Sequence, residues 1–176
     1  IYFGDTAHVP YGTKSTNAVV KYSQSILNFF SNYHIKAVVI ACNTASAVAC
    51  KDLRNSYKIP LFDVVAPSVA HSNNISKTRS IGVIGTYSTI YSGAYTQSFS
   101  DLKSDCCVLE IACPLFVPII EEGWSETTVA EMVANTYLEP FQKTKMDTLI
   151  LGCTHYPIMA KTIQRVVENH VQLVYS

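Results

Sequence analysis

The sequence predicts an α/β protein built on mostly parallel sheets, and three observations lead to this fold class. Short runs rich in β-branched residues alternate with longer segments of helical period, which is typical of βαβ units. Apolar residues make up 48% of the chain and charged residues only 15%, which suits a sheet covered by helices on both faces. The runs with the length and composition of strands are residues 1–3, 37–41, 61–65, 80–85, 106–111, 148–151 and 171–174.

Between these strands, apolar residues recur every three to four positions, as one buried face of a helix requires. The pattern predicts amphipathic helices over residues 19–30, 127–141 and 157–169. Pro157 fits the first turn of the third helix, because the N–H group that proline lacks would have no helical partner there.

The chain is predicted to form two lobes, with a boundary near Ala66 and Pro67. A polar stretch at residues 71–77 follows this boundary, and a fresh run of strands and helices begins after it. Residues 1–66 then form a first α/β lobe and residues 67–174 a second one.

Two segments resemble each other, one in each predicted lobe. Residues 36–44 and residues 147–155 each read as a buried strand, then a cysteine, then polar residues, then a helix. This internal similarity predicts two related lobes that face each other.

Charge and hydropathy argue against several functional classes. Thirteen basic residues balance thirteen acidic ones, and no basic cluster is present, so a nucleic-acid partner is not expected. The longest apolar runs, residues 37–42 and 148–151, are strand-length and far shorter than a membrane span. No secretion signal opens the sequence. We therefore expect a soluble, cytoplasmic protein without a membrane partner.

The six cysteines lack the spacing of a zinc ribbon and lie mostly in apolar strands, so reduced thiols are expected. Cys153 and His155 are two good metal ligands, but no second close pair joins them and no metal site is predicted. Four of the cysteines are interpreted as small buried hydrophobic residues: Cys50, Cys106, Cys107 and Cys113.

Cys42 and Cys153 are the strongest candidates for chemistry. Both follow predicted parallel strands, where ligands bind in open α/β sheets. A helix N-terminus there is expected to lower the pKa of a thiol toward neutrality and to hold a carboxylate. Asn43, Thr44 and Thr154 come just downstream and can either cap the helices or bind a ligand. His155 can hold or relay the proton of Cys153, although a histidine at a helix start is more often a cap or a surface residue.

Two loops carry further candidates. In the first, Pro10, Tyr11 and Gly12 either present N–H groups to an anion or form an ordinary turn. In the second, Glu121 and Glu122 follow an apolar stretch, so either one carboxylate lies near the site or both cap a solvated helix end.

Several motifs together resemble the glutamate racemases, within the wider family of two-thiol amino-acid racemases. They are YFGDT at residues 2–6, PYG at 10–12, ACNTAS at 41–46, CPLFVP at 113–118 and GCTHYP at 152–157. Their order and spacing match that family along essentially the whole chain.

The resemblance implies two α/β lobes related by a pseudo-twofold axis, with the active site between them. It implies interconversion of L- and D-glutamate without pyridoxal phosphate or any other cofactor, supplying D-glutamate for bacterial peptidoglycan. It also implies a homodimer. Cys42 and Cys153 take the roles of paired base and acid, His155 assists Cys153, and Glu121 acts near that thiol. The positions that match the family's substrate-binding residues are Pro10, Tyr11, Gly12, Asn43, Thr44, Thr86 and Thr154.

The chain departs from the family pattern at both ends. Family members begin with a further strand that ends in an Asp-Ser pair, and a carboxyl-terminal segment returns to complete the first lobe. The sequence lacks both and is expected to be an excerpt; residues 1–176 alone are expected to be weakly active or inactive.

Three other functions compete with glutamate racemisation. A sister racemase that acts on aspartate is the nearest. A glutamate-binding module without turnover is compatible with the missing Asp-Ser pair. A thiol redox protein requires two cysteines that form a disulfide reversibly, whereas racemase thiols must leave room for a substrate between them.

Overall fold

The computed structural model describes all 176 residues and has an α/β architecture, as predicted. The helices are α1 (Thr16–Phe30), α2 (Asn43–Ser56), α3 (Val65–Ile75), α4 (Tyr87–Tyr91), α5 (Ala94–Asp101), α6 (Phe116–Glu121), α7 (Thr128–Gln142) and α8 (Ala160–Val167). The strands are β1 (Val38–Ile40), β2 (Leu61–Asp63), β3 (Ser80–Gly85), β4 (Cys107–Ala112), β5 (Thr148–Gly152) and β6 (Gln172–Tyr175). Two 3₁₀ helices cover Tyr11–Thr13 and Tyr156–Met159.

The strands form two separate sheets in which every pairing is parallel. One sheet contains β1 and β2, and the other has the order β4-β3-β5-β6. Because the strands are parallel, their carboxyl ends share one edge in each sheet, and the loops that leave these edges lead into helices. This geometry places both candidate thiols at a strand end.

Both faces of the larger sheet are buried at its centre. One face packs against a cluster that includes Phe116, Leu138 and Ile163, and the other against a cluster that includes Val69 and Tyr95. Both clusters are almost inaccessible to solvent. This agrees with the continuous apolar runs of β3 and β5, since a strand buried on both faces needs apolar side chains on both sides.

The smaller sheet is covered on one face only. Its inner residues pack with α1 and α2 in a third cluster. On the other face the paired residues Val39 and Phe62 are 64% and 57% exposed. Here the expectation of helices on both faces is not met.

The prediction of a strand at residues 1–3 is wrong. These residues are exposed and form no strand, because no neighbouring strand supplies the backbone partners that a sheet requires. Phe3 instead packs edge-on against Phe29 and Phe30 of α1. An apolar run alone therefore gave the wrong local structure.

The polar stretch after the expected lobe boundary lies largely within α3, which also includes Ala66 and Pro67. The division into lobes 1–66 and 67–174 stays a prediction. None of the helices is both long and apolar enough to cross a membrane.

Candidate active site

Cys42 lies at the carboxyl end of β1 and is the N-cap residue of α2, although its side chain makes no capping hydrogen bond. Burial raises the pKa of its thiol. The N–H groups of Ala45 and Thr44 and the Thr44 hydroxyl act in the opposite direction, because they stabilise a thiolate, but they do not offset the burial.

Cys153 follows β5 directly and is 6% exposed. Burial raises the pKa of its thiol to about 12, the N–H groups of His155 and Tyr156 oppose this shift, and the charge of Cys42 adds to it. Cys153 therefore lies within electrostatic reach of Cys42.

The expectation that helix N-termini lower these thiol pKa values toward neutrality is wrong for the protein without ligand. The local N–H groups are present, but desolvation is the largest cause in both cases. The sequence shows the backbone N–H groups near each thiol but not how deeply the thiols are buried.

The raised pKa of Cys153 predicts a loss of stability in alkaline solution. Between about pH 9 and pH 12 an unfolded thiol loses its proton while the folded one keeps it. The folded state then binds more protons, so the free energy of unfolding falls as pH rises, by about 2 kcal/mol near pH 10.5. Urea unfolding of wild type and Cys153→Ala in reductant, at pH 8 and near pH 10.5, measures this. The variant is expected to lose less stability; equal losses would contradict the assignment.

His155 connects Cys153 to Glu121, the last residue of α6. Its Nδ1 lies 3.8 Å from Cys153 Sγ, and its Nε2 lies 2.5 Å from Glu121 Oε1. The Glu121 carboxylate accepts a hydrogen bond from the Nε2–H group. Nδ1 of the neutral ring then carries no hydrogen and can accept the thiol proton. The neighbouring Glu122 makes no such contact, so the two carboxylates that the sequence left open are distinguished by geometry.

Thr154 is exposed and, with Glu121 and His155, lines a surface depression of about 320 Å³. Ile120 and Ile158 complete its lining.

Three buried threonines form a hydroxyl cluster between α2 and α4. Thr44 Oγ1 lies 3.0 Å from Thr86 Oγ1 and 3.2 Å from Thr89 Oγ1, and the last two are 3.0 Å apart. The sequence singled out Thr44 and Thr86. It missed Thr89, because a threonine inside a short helix carries no local signal of such a contact.

Gly12 lies directly against this cluster. A Cβ atom there would be 2.5 Å from Thr86 Cγ2, so only glycine allows this close approach. Tyr11 donates a hydrogen bond to Asp5 Oδ2 at 2.5 Å, and burial together with this bond raises the pKa of its phenol. Pro10 is exposed and precedes the 3₁₀ helix.

Asn43, the first residue of α2, is 2% exposed, and both the oxygen and the nitrogen of its carboxamide form hydrogen bonds. Tyr95 donates to Oδ1 at 2.8 Å, and Nδ2 donates to Ser176 Oγ at 2.8 Å. The sequence gives no local sign of the contacts with Tyr95 and Ser176, because both residues are far from Asn43 along the chain.

All six cysteines are free thiols. Cys50 and Cys113 are buried as expected, but Cys106 is only partly buried and Cys107, at the start of the edge strand β4, is exposed. No group of three or more His, Cys, Asp or Glu side chains is arranged to hold a metal ion.

The sequence profile of the Asp/Glu/hydantoin racemases matches residues 1–176. The chain belongs to this racemase family. A glutamate racemase of Geobacter metallireducens is 44% identical over 176 residues, and the match covers 100% of this chain and 65% of that protein. The chain thus spans just under two thirds of that relative.

Solved structures of the same family have the same fold. A glutamate racemase isoform of Bacillus anthracis superposes with a TM-score of 0.93 at 32% identity, covering 98% of this chain and 65% of that one. The Francisella tularensis glutamate racemase, solved in complex with D-glutamate, gives a TM-score of 0.89 at 38% identity and covers 98% of this chain and 64% of that one. The racemase family therefore accounts for the whole fold described here.

Proposed function

We propose that the protein containing this chain interconverts L- and D-glutamate without a cofactor, using Cys42 and Cys153 as two opposed acid/base thiols. The observation that carries the proposal is the placement of the two thiols. Each follows a parallel strand, each has backbone N–H groups beside its sulfur, and the charge of Cys42 helps to raise the pKa of Cys153. Membership of the racemase family and the glutamate racemases among its relatives support the choice of reaction and substrate.

Inversion at Cα requires a base on one face of the substrate and an acid on the other. One thiolate removes the α-proton, and the other thiol donates its proton to the opposite face, so the reaction ends with the protonation states exchanged. Since burial raises both pKa values, the free protein holds both thiols mainly protonated near neutral pH. The ammonium group of a bound amino acid would favour ionisation of one of them.

The carbanion that forms between the thiols needs preorganised hydrogen-bond donors and exclusion of water. We assign substrate binding to the residues around Cys42 and in the turn that packs on Thr86, and to Thr154 beside the second thiol. The set is Pro10, Tyr11, Gly12, Asn43, Thr44, Thr86 and Thr154.

We assign His155 and Glu121 to proton transfer at Cys153. His155→Asn is expected to lower kcat roughly 100-fold, at the low end for such assistance, because one of two proton transfers loses its helper while the thiol remains. Glu121→Gln is expected to have a smaller effect in the same direction. The measurement is the kcat for racemisation in each direction.

Glu122→Gln is the matched control, since Glu122 is adjacent to Glu121 and makes no contact with His155. Turnover of this control should stay near that of wild type. Loss of activity in Glu122→Gln equal to that in Glu121→Gln would contradict the assignment.

Proton NMR of L-glutamate in D₂O, combined with chiral analysis, tests the proposed reaction on the complete protein. Loss of the α-proton signal with appearance of D-glutamate is expected. Exchange of L-aspartate in place of L-glutamate would indicate the sister racemase. Binding of glutamate without exchange would indicate a silent binding module.

We further propose that the protein is a cytoplasmic homodimer whose product enters bacterial peptidoglycan. The family resemblance supports each of these points. Sedimentation velocity of the complete protein measures the oligomeric state.

A further inference from the structure

Two hydrogen bonds link the start of α2 to the carboxyl end of β5 through Asn43 and Ser176, and a third joins Asn43 to Tyr95 of α5. Tyr95 donates to Asn43 Oδ1, Asn43 Nδ2 donates to Ser176 Oγ, and the Ser176 hydroxyl donates to the carbonyl of Leu151 at 3.0 Å. Asn43 directly follows Cys42, and Leu151 lies two residues before Cys153. The link therefore connects the two backbone segments that carry the thiols.

The direction of these hydrogen bonds is fixed. Because the Ser176 hydroxyl donates to Leu151, its oxygen can only accept from Asn43, so the NH₂ group of the carboxamide faces Ser176. The carbonyl oxygen of Asn43 then faces Tyr95, which must donate. Burial raises the pKa of the Tyr95 phenol, so this donor keeps its proton.

Packing holds Tyr95 in place. Its side chain is fully buried, and a Cβ atom on Gly152 would be 3.1 Å from its hydroxyl oxygen. The phenol thus lies against the end of β5, where glycine leaves room for it. One hydrogen of Asn43 Nδ2 remains for a ligand, so this arrangement is compatible with substrate binding by Asn43.

We propose that Tyr95 and Ser176 are positioning residues: through the carboxamide of Asn43 they hold Cys42 in a fixed place relative to Cys153. This inference rests on the proposed racemase reaction, in which the two thiols must reach the Cα atom of the substrate from opposite faces. A small displacement of one thiol lowers the rate of proton transfer more than it weakens substrate binding.

Tyr95→Phe and Ser176→Ala test the inference in the complete protein, and Tyr91→Phe is the control. Tyr91 is 78% exposed and stacks on Tyr87. Two quantities are measured: kcat and KM for L-glutamate, and the rate of Cys42 alkylation by iodoacetamide, resolved from that of Cys153 by peptide mass spectrometry.

Tyr95→Phe loses one hydrogen bond of the link and Ser176→Ala loses two. Each variant is expected to lower kcat roughly tenfold with KM within about twofold. Both should also raise the alkylation rate of Cys42, while Tyr91→Phe changes neither quantity. A merely structural role would lower the melting temperature and leave the kcat of the folded protein unchanged.

An unchanged alkylation rate in both variants, or an unchanged kcat in an active protein, overturns the inference. If the wild-type protein lacks racemase activity, the proposed function fails, and alkylation alone decides whether Cys42 is held by this link. Ser176→Ala keeps the test decisive if Tyr95→Phe does not fold.

Discussion

Cys42→Ala and Cys153→Ala are each expected to lower kcat/KM for glutamate roughly 10³-fold in both directions, within the range for loss of a general acid or base. In the proposed mechanism each thiol acts as base in one direction and as acid in the other, so both directions should be slowed. The effects should not add in the double variant, because the two thiols act as one unit. Racemisation followed by chiral analysis measures all three variants.

Cys50→Ala is the control for these substitutions. Cys50 is a buried thiol on the same helix as Asn43 and is 4% exposed. Its removal should lower stability slightly and leave turnover of the folded protein within about twofold of wild type. Retention of a tenth or more of the wild-type rate by either site variant would contradict the two-thiol mechanism.

Gly152→Ala is expected to lower the free energy of unfolding by about 3 kcal/mol, at the upper end for an overpacked core. The added Cβ would lie 2.7 Å from the carbonyl oxygen of Ile84 in the neighbouring strand β3. This oxygen belongs to the sheet backbone, so neither atom can move without disturbing the ladder. The strain arises one residue before Cys153, and turnover should fall as well.

Chemical unfolding of Gly152→Ala and of Gly4→Ala measures this effect. At Gly4 the nearest atoms to a new Cβ belong to the side chain of Tyr2, which is 92% exposed and free to move. The Gly4 variant should stay within about 0.5 kcal/mol of wild type. Equal stability of the two variants would show that the sheet accommodates a methyl group at residue 152.

Local pattern was sufficient to predict the six parallel strands and the position of both candidate thiols, although it also gave a false strand at residues 1–3. A buried strand followed by a cysteine and a helix start is visible within nine residues, at 36–44 and again at 147–155. Helix α1 was equally clear, since its apolar residues keep the helical spacing over 15 residues. Helices α4, α5 and α6 span only five to eight residues and are too short for such a pattern.

Features that depend on distant parts of the chain could not be predicted. Helix α3 buries Ser72 as well as Val69, so its inner face is partly polar and its sequence resembled a linker. The contacts of Asn43 with Tyr95 and Ser176 join residues 52 and 133 positions apart. The raised thiol pKa values result from burial, which no local motif reports.

The most direct test of two opposed thiols is the early-time distribution of deuterium when the complete protein converts L-glutamate in D₂O. Two bases predict that newly formed D-glutamate carries solvent deuterium at Cα, while the remaining L-glutamate still carries protium. A single base that serves both faces would return the original proton to the product or place deuterium in both enantiomers together. That second result would contradict the account.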